Sequence, residues 1–236
     1  MFSEDGYSVV PGVYSATEVE VLLAALARVG LDGRFGVRAV LRDYPLLQDL
    51  VFTPRLLQLV SSVDPDLTSC IKSIYFDKPP TANWPVNWHQ DLTLNVRGRV
   101  EVPGFKNWRE LPERTVVQPP REVLENILTV RIHLDDAHAA NGALRVVPGS
   151  HLGGVVSIKN WMKDGPEEEV ICEVSAGGVQ LMRPLLLHAS KRSSAARRRV
   201  LHLEFSGYHL PSGLTWWEAL HQVGSVADYT VVKYSR

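Results

Sequence analysis

Two His-x-Asp triplets occur in the chain, His89-Gln90-Asp91 and His133-Leu134-Asp135. Two histidines and one carboxylate on one face of an octahedron can hold Fe(II), leaving the opposite face open for a bidentate co-substrate and O2. Side chains two residues apart on an extended strand share a side, so either triplet can supply two of the three ligands. The remaining histidine must come from elsewhere. A triplet alone is weak, because a chain with eight histidines often contains one by chance, on the surface or satisfied in the core. Context separates the two. His89 follows KPPTANWPVNW, a loop-like run ending in an aromatic, where ligands sit at the mouth of a strand. His133 lies inside a regular strand and is expected to line a pocket or pack.

Downstream comes MRPLLLHASKRSSAARRRVLHLEF. Here His188 is expected to end an apolar strand, and Arg197–Arg199 opens the next one about ten residues later. The spacing fits a hairpin that carries an arginine across the pocket from the metal. A guanidinium can grip the distal carboxylate of 2-oxoglutarate with two prongs while the 2-oxo acid end chelates iron. Taken alone, Arg197–Arg199 reads better as a solvated basic turn.

The elements that must position these residues are partly legible. Ser15 and Glu18 form an S-x-x-E capping box, with Val19, Leu22, Leu23 and Leu26 at helical spacing and Gly30 as the stop. A second helix is expected at Thr53, with Pro54 in its first position and Leu56, Leu57 and Val60 on one face. Ile71–Phe76 reads as a strand stopped by Pro79 and Pro80. Leu128, Val130, Ile132 and Leu134 alternate with Thr129, Arg131 and His133 in a period-two pattern. Ala143–Val147, Val179–Met182 and Val200–Phe205 are further strands, punctuated by Asn141-Gly142, Pro148-Gly149 and Gly177-Gly178. Residues 93–122 show little periodicity and many charges, and read as a long irregular excursion, a lid or substrate loop. Helices followed by many short strands predict an α+β domain around an antiparallel barrel or sandwich, one domain over residues 1–236.

Composition narrows the partners. With 45% hydrophobic and 22% charged residues the chain can bury a full core. A net charge of −1 gives no reason to expect nucleic acid or an anionic membrane. Two cysteines without a CxxC pairing disfavour a disulfide framework or a zinc–cysteine site and suit a reducing cytosol. Neither a signal peptide nor an apolar run of membrane-spanning length is seen, so a cytoplasmic protein is expected.

Four segments in order resemble the phytanoyl-CoA dioxygenase family, which includes ectoine hydroxylase. They are DGYSVVPGVYSATEVEVL, FDKPP…WHQDL, IHLDDAHAANGALRVVPGSH and RPLLLHAS…RRRVLHLEF, spread over nearly the whole length of the chain. The resemblance implies a double-stranded β-helix, or jelly roll, mainly β, with N-terminal helices packed on one sheet. It also implies the iron triad His89, Asp91 and His188, and a hydroxyl, Ser190, that helps hold 2-oxoglutarate. It assigns His151 to a structural turn and removes His133 from the ligands. Relatives place the co-substrate arginine eleven residues after the distal histidine, which here is Arg199. Aligning the strand RRVLHLEF gives Arg198 instead, and register decides which side chains face inward, so Arg198 is preferred. The implied activity is oxidative decarboxylation of 2-oxoglutarate to succinate and CO2, coupled to hydroxylation of a small molecule by O2. Asp91 argues against the related halogenases, which lack the carboxylate.

For the substrate, Arg131 is the sharper candidate, since alternation places it on a polar inner face with Thr129 and His133, where a charge needs a partner such as an anionic substrate. An ordinary salt bridge is the alternative. Arg97, Arg99, Lys106, Trp108 and Arg109 of the excursion, and the aromatics of LPSGLTWW, are secondary candidates. A non-catalytic jelly-roll binding domain and a zinc hydrolase using the same ligands stay open as rival functions.

Overall fold

The computed structural model describes residues 2–79, 84–166, 168–192 and 196–221. Pro80 and the middle of the turn before Arg197 therefore lie outside the described residues. Fifteen strands are described: β1 (Tyr7–Val10), β2 (Gly36–Arg38), β3 (Ser69–Lys78), β4 (Val86–His89), β5 (Leu94–Arg97), β6 (Lys106–Glu110), β7 (Thr115–Gln118), β8 (Ile127–His133), β9 (Leu144–Val146), β10 (Val170–Cys172), β11 (Val179–Met182), β12 (His188–Ser190), β13 (Arg198–Ser206), β14 (Thr215–Trp216) and β15 (Leu220–His221).

They form three antiparallel sheets. The large one runs β1-β11-β8-β13-β3-β15, with β2 also on β3; the others run β10-β9-β12-β4 and β14-β5-β7-β6. This is the mainly β, jelly-roll architecture that the sequence suggested, with the first two sheets facing each other across the site.

Alternation sorts the large sheet. Val130, Ile132, Leu201, Leu203, Phe205 and Tyr75 point to one side and are buried with Val19, Leu22, Leu26, Leu56 and Val60 of the N-terminal helices. Those helices begin as their sequences require. In Ala16–Arg28 the Ser15 and Glu18 side chains complete both halves of the capping box, and Pro54–Val63 starts from a Thr53 cap. Each cap contributes about 1 kcal/mol. The opposite side of the sheet is polar, and faces inward. Gly177 makes the tight turn before β11: its φ is +81°, and a Cβ there would sit 2.2 Å from the Tyr14 carbonyl oxygen.

Two expectations need correction. Residues 93–122 are not irregular: β5, β6 and β7 pair with one another and with β14. Leu94, Val96, Phe105 and Val117 are buried against Ile71, Val123, Leu124, Ile127 and Leu214. Four-residue strands are too short to show a period, and charged β6 is mostly exposed. The second correction concerns His188, which opens a strand instead of ending one. Leu185–Leu187 is a buried, non-strand approach to it. Nor do β12 and β13 form a hairpin. They belong to different sheets, on opposite walls of the site.

Candidate metal and co-substrate site

The small sheet supplies the two histidines. His89 and His188 are directly opposed on β4 and β12, and their ring centroids are 4.1 Å apart. Each ring is oriented by its own strand: His89 Nδ1 lies 2.8 Å from the Asn87 carbonyl oxygen, and His188 Nδ1 lies 2.8 Å from that of Leu186. A carbonyl only accepts, so both Nδ1 atoms carry the proton and both Nε2 lone pairs are free to ligate.

Both lone pairs point toward Asp91. His89 Nε2 is 3.9 Å from Asp91 Oδ1, and His188 Nε2 is 3.8 Å from Oδ2. Asp91 lies just beyond β4, where its backbone N–H donates to the Pro184 carbonyl oxygen at 2.9 Å. Its Oδ2 is buried and has no hydrogen-bond partner, an orphaned acceptor that a cation would satisfy. Burial alone would raise the Asp91 pKa, but the charges of His188, His202, Lys72 and His89 hold it below the usual carboxylate range. Burial pushes His188 down to about 4 against the opposing pull of Asp91, so the ring is neutral near pH 7, as a ligand must be. A second grouping, Asp91, His202 and Glu204, is also close enough to ligate. There Lys72 Nζ already donates to Glu204 Oε1 at 2.6 Å, and His202 Nδ1 is taken up by Arg131.

The facing wall comes from the inner face of the large sheet. A cavity lies between the two walls, lined by the triad and Ser190 on one side and by Lys78, Arg131, Arg198 and His202 on the other. Arg198 is 4% exposed, and its Nε and Nη1 are buried without partners. Burial, and then the nearby Arg131, pushes its pKa down to about 9, which leaves it cationic at neutral pH. The adjacent arginines are committed elsewhere. Arg199 donates through Nε and Nη2 to Asp135 at 2.8 and 2.6 Å, and Arg197 donates to Asp77 and Asp32. Strand register separates them, since one residue along β13 reverses the face.

Lys78 escaped the sequence reading. It is buried, directly opposite Arg198 on β3, and its Nζ donates to the Trp84 carbonyl oxygen at 3.1 Å and to Ser190 Oγ at 3.3 Å. Burial, then Arg198 and Arg131, lowers its pKa to about 8. The signal was alternation: Lys78 shares an inward face with Phe76 and Ile74, beyond the point where the strand was expected to stop.

The second triplet forms no site. His133 is fully buried and neither ring nitrogen has a partner, and it joins no metal-ligating group among the described residues. Asp135 pairs with Arg199. His151 sits in the short helix Ser150–Gly153 with Nε2 3.3 Å from the Ser3 carbonyl oxygen. Of the secondary substrate candidates, none lines the cavity. Arg99 pairs with Glu101, and the Trp217 ring is covered by Arg42 and Arg114.

The family model described as "Phytanoyl-CoA dioxygenase (PhyH)" matches residues 2–200. Among curated proteins none matches. Solved structures with the same fold include SnoK, described as a non-heme alpha-ketoglutarate-dependent carbocyclase from nogalamycin biosynthesis, at 22% identity over 87% of this chain and 81% of that one, TM-score 0.66. EctD from S. alaskensis is similar at 20% identity over 87% and 74%, TM-score 0.65. HygX from Streptomyces hygroscopicus, with nickel and 2-oxoglutarate bound, is similar at 19% identity over 92% and 86%, TM-score 0.63.

Proposed function

The chain belongs to the phytanoyl-CoA dioxygenase family, and on that premise we propose that it is an Fe(II)- and 2-oxoglutarate-dependent dioxygenase that hydroxylates a small-molecule metabolite. One observation carries the reading: two histidines with free Nε2 atoms converge on the orphaned Asp91 carboxylate in a cavity whose other wall holds an unpaired buried arginine. The donor set fits Fe(II), and the buried cations fit the distal carboxylate of 2-oxoglutarate.

When bound, Fe(II) and 2-oxoglutarate supply O2 activation, with release of succinate and CO2. The protein's own contribution is placement. His89, Asp91 and His188 hold the metal from one wall. Arg198 presents an unpaired guanidinium edge to the distal carboxylate, and Ser190 and Lys78 add a hydroxyl and an ammonium beside it. The apolar side chains of Phe76, Val86, Leu144 and Val200 complete the lining and limit water around the reacting groups.

Zinc hydrolysis and non-catalytic binding are less well supported. Neither has a use for Arg198 and Lys78 buried together opposite the triad. Incubation with Fe(II), 2-oxoglutarate and O2 is expected to release succinate, stimulated by the correct metabolite, and Zn(II) is expected not to replace iron. Activity with Zn(II) alone, or tight 2-oxoglutarate binding without turnover of any metabolite, would favour the rivals. Product mass then defines the outcome. Gain of one oxygen marks hydroxylation, loss of two hydrogens marks ring closure or desaturation, and an unchanged mass marks epimerisation.

A further inference from the structure

The inner face of the large sheet carries more positive charge than the proposed chemistry uses. Lys78, Arg131 and Arg198 line the cavity, whereas Asp91 is the one carboxylate lining it among the described residues. A divalent metal and a doubly negative co-substrate cancel each other, so three cations face a single carboxylate that is itself committed to the metal. Lys78 and Arg198 stand together beside Ser190 and serve one carboxylate end. Arg131 is somewhere else. It lies across from His202, four residues along β13 from Arg198, which is roughly 13 Å of strand.

Arg131 is 8% exposed, and its Nε is buried without a partner. Its Nη1 donates to His202 Nδ1 at 3.1 Å, an acceptor with no charge to offer. That contact is itself held in place. With Nδ1 accepting, the proton of His202 sits on Nε2, which faces Glu204 Oε1 at 3.4 Å. Glu204, the carboxylate on this face that could have served Arg131, is neutralised by Lys72 at 2.6 Å. The sequence Lys72–Glu204–His202–Arg131 therefore fixes one edge of the guanidinium without giving it a carboxylate in contact, and Asp91, whose charge favours the cation across the cavity, is committed to the metal. A buried cation without a counter-charge is strongly unfavourable, and a guanidinium edge matches a carboxylate in two-pronged fashion.

We infer that Arg131 is the receptor for a carboxylate of the substrate, bound beside the metal triad while 2-oxoglutarate occupies Arg198, Ser190 and Lys78. This rests on the dioxygenase reading above and narrows its substrate to organic acids. His202 and Glu204 are positioning residues for the guanidinium. The same group could otherwise serve the 2-oxo acid end of 2-oxoglutarate, and the experiment separates these two sources.

The probe is acetate, with methyl acetate as the uncharged control, titrated into protein loaded with Ni(II) and 2-oxoglutarate. Paramagnetic nickel shortens the relaxation of methyl protons held near it, so NMR reads bound acetate without turnover. The wild-type complex should show saturable relaxation by acetate and none by methyl acetate. Arg131→Leu should weaken acetate binding by about tenfold or more while leaving 2-oxoglutarate affinity within a few-fold, and Arg131→Lys should recover part of the acetate affinity. Three results overturn the inference: no saturable acetate effect in the wild type, acetate binding that survives in Arg131→Leu and so reports ligation by nickel, or a loss of 2-oxoglutarate affinity in Arg131→Leu as large as that of Arg198→Ala. Failure of the nickel-loaded wild type to bind 2-oxoglutarate would instead count against the dioxygenase reading, and acetate titration of the nickel protein alone would still read Arg131. Thermal melts of both variants identify any loss of fold.

Discussion

His89 and His188 stand directly opposite one another on neighbouring antiparallel strands, each with Nδ1 turned back to the carbonyl oxygen two residues before it. One local device, used twice, sets both tautomers and aims both Nε2 atoms at Asp91. Replacing either histidine by Ala should abolish stoichiometric binding of Fe(II) or Co(II), measured as metal per folded chain. His133→Ala should keep the metal. If iron is lost with His133 and kept without His89, the other triplet is the site.

Arg198 and Arg199 are neighbours with opposite commitments. Arg198→Ala should raise the Kd for 2-oxoglutarate by about tenfold to over a hundredfold, the range expected for loss of a charge-assisted two-pronged contact. Arg199→Ala should cost stability through Asp135 and change 2-oxoglutarate affinity little. The reverse ranking, read by anaerobic titration, would return the role to Arg199.

Lys78 gives 2-oxoglutarate binding a pH dependence. Burial and the nearby arginines lower its pKa to about 8 in the free protein, whereas a bound carboxylate favours the charged form. Above pH 8 the empty site loses this proton and must regain it on binding, so the Kd should rise with pH by up to about tenfold per unit. In Lys78→Met the affinity should be lower and nearly constant between pH 7 and 8.5. A wild-type Kd independent of pH over that window would remove Lys78 from the co-substrate contacts.

Glu218 provides a stability test away from the cavity. It is buried and accepts from Ser73 N at 2.9 Å; burial raises its pKa from 4.5 to about 7, against the lowering effect of Ser73. The folded pKa lies above the unfolded one, so the contribution is whole below pH 4.5 and is lost as pH rises toward 7. The full effect is on the order of 3 kcal/mol. Glu218→Gln should flatten this decline in urea melts at pH 5, 6 and 7, and should be the more stable protein at pH 8. Parallel curves for the two proteins would show that Glu218 is ionised throughout.

Residues 93–122 carry a proteolytic prediction. With Leu94, Val96 and Val117 buried, the strands should open only with much of their sheet. Trypsin should therefore cut at Arg97, Lys106 and Arg109 no faster than the domain unfolds. Early cleavage there, suppressed by metal, 2-oxoglutarate and substrate together, would support the reading of this segment as a lid.

Much of this protein was determined by local rules that a sequence displays. The capping box at Ser15, the Pro54 start and the alternation of Leu128–Leu134 depend on neighbours three or four residues away, and the structure contains all three elements. The family resemblance carried by four segments in order implied His89, Asp91 and His188, and aligning the strand RRVLHLEF with it favoured Arg198 over Arg199. Short strands are different. A four-residue segment such as Leu94–Arg97 or Thr115–Gln118 owes its form to hydrogen bonds with distant chain, so nothing local betrays it. The same holds for the cavity's charge. Lys78, Arg131 and His202 are far apart in sequence, and only the order β8-β13-β3 sets them on one wall. Whether a carboxylate neutralises Arg131 depended on which partner Glu204 found, and Lys72 is that partner because β3 and β13 bring the two residues face to face.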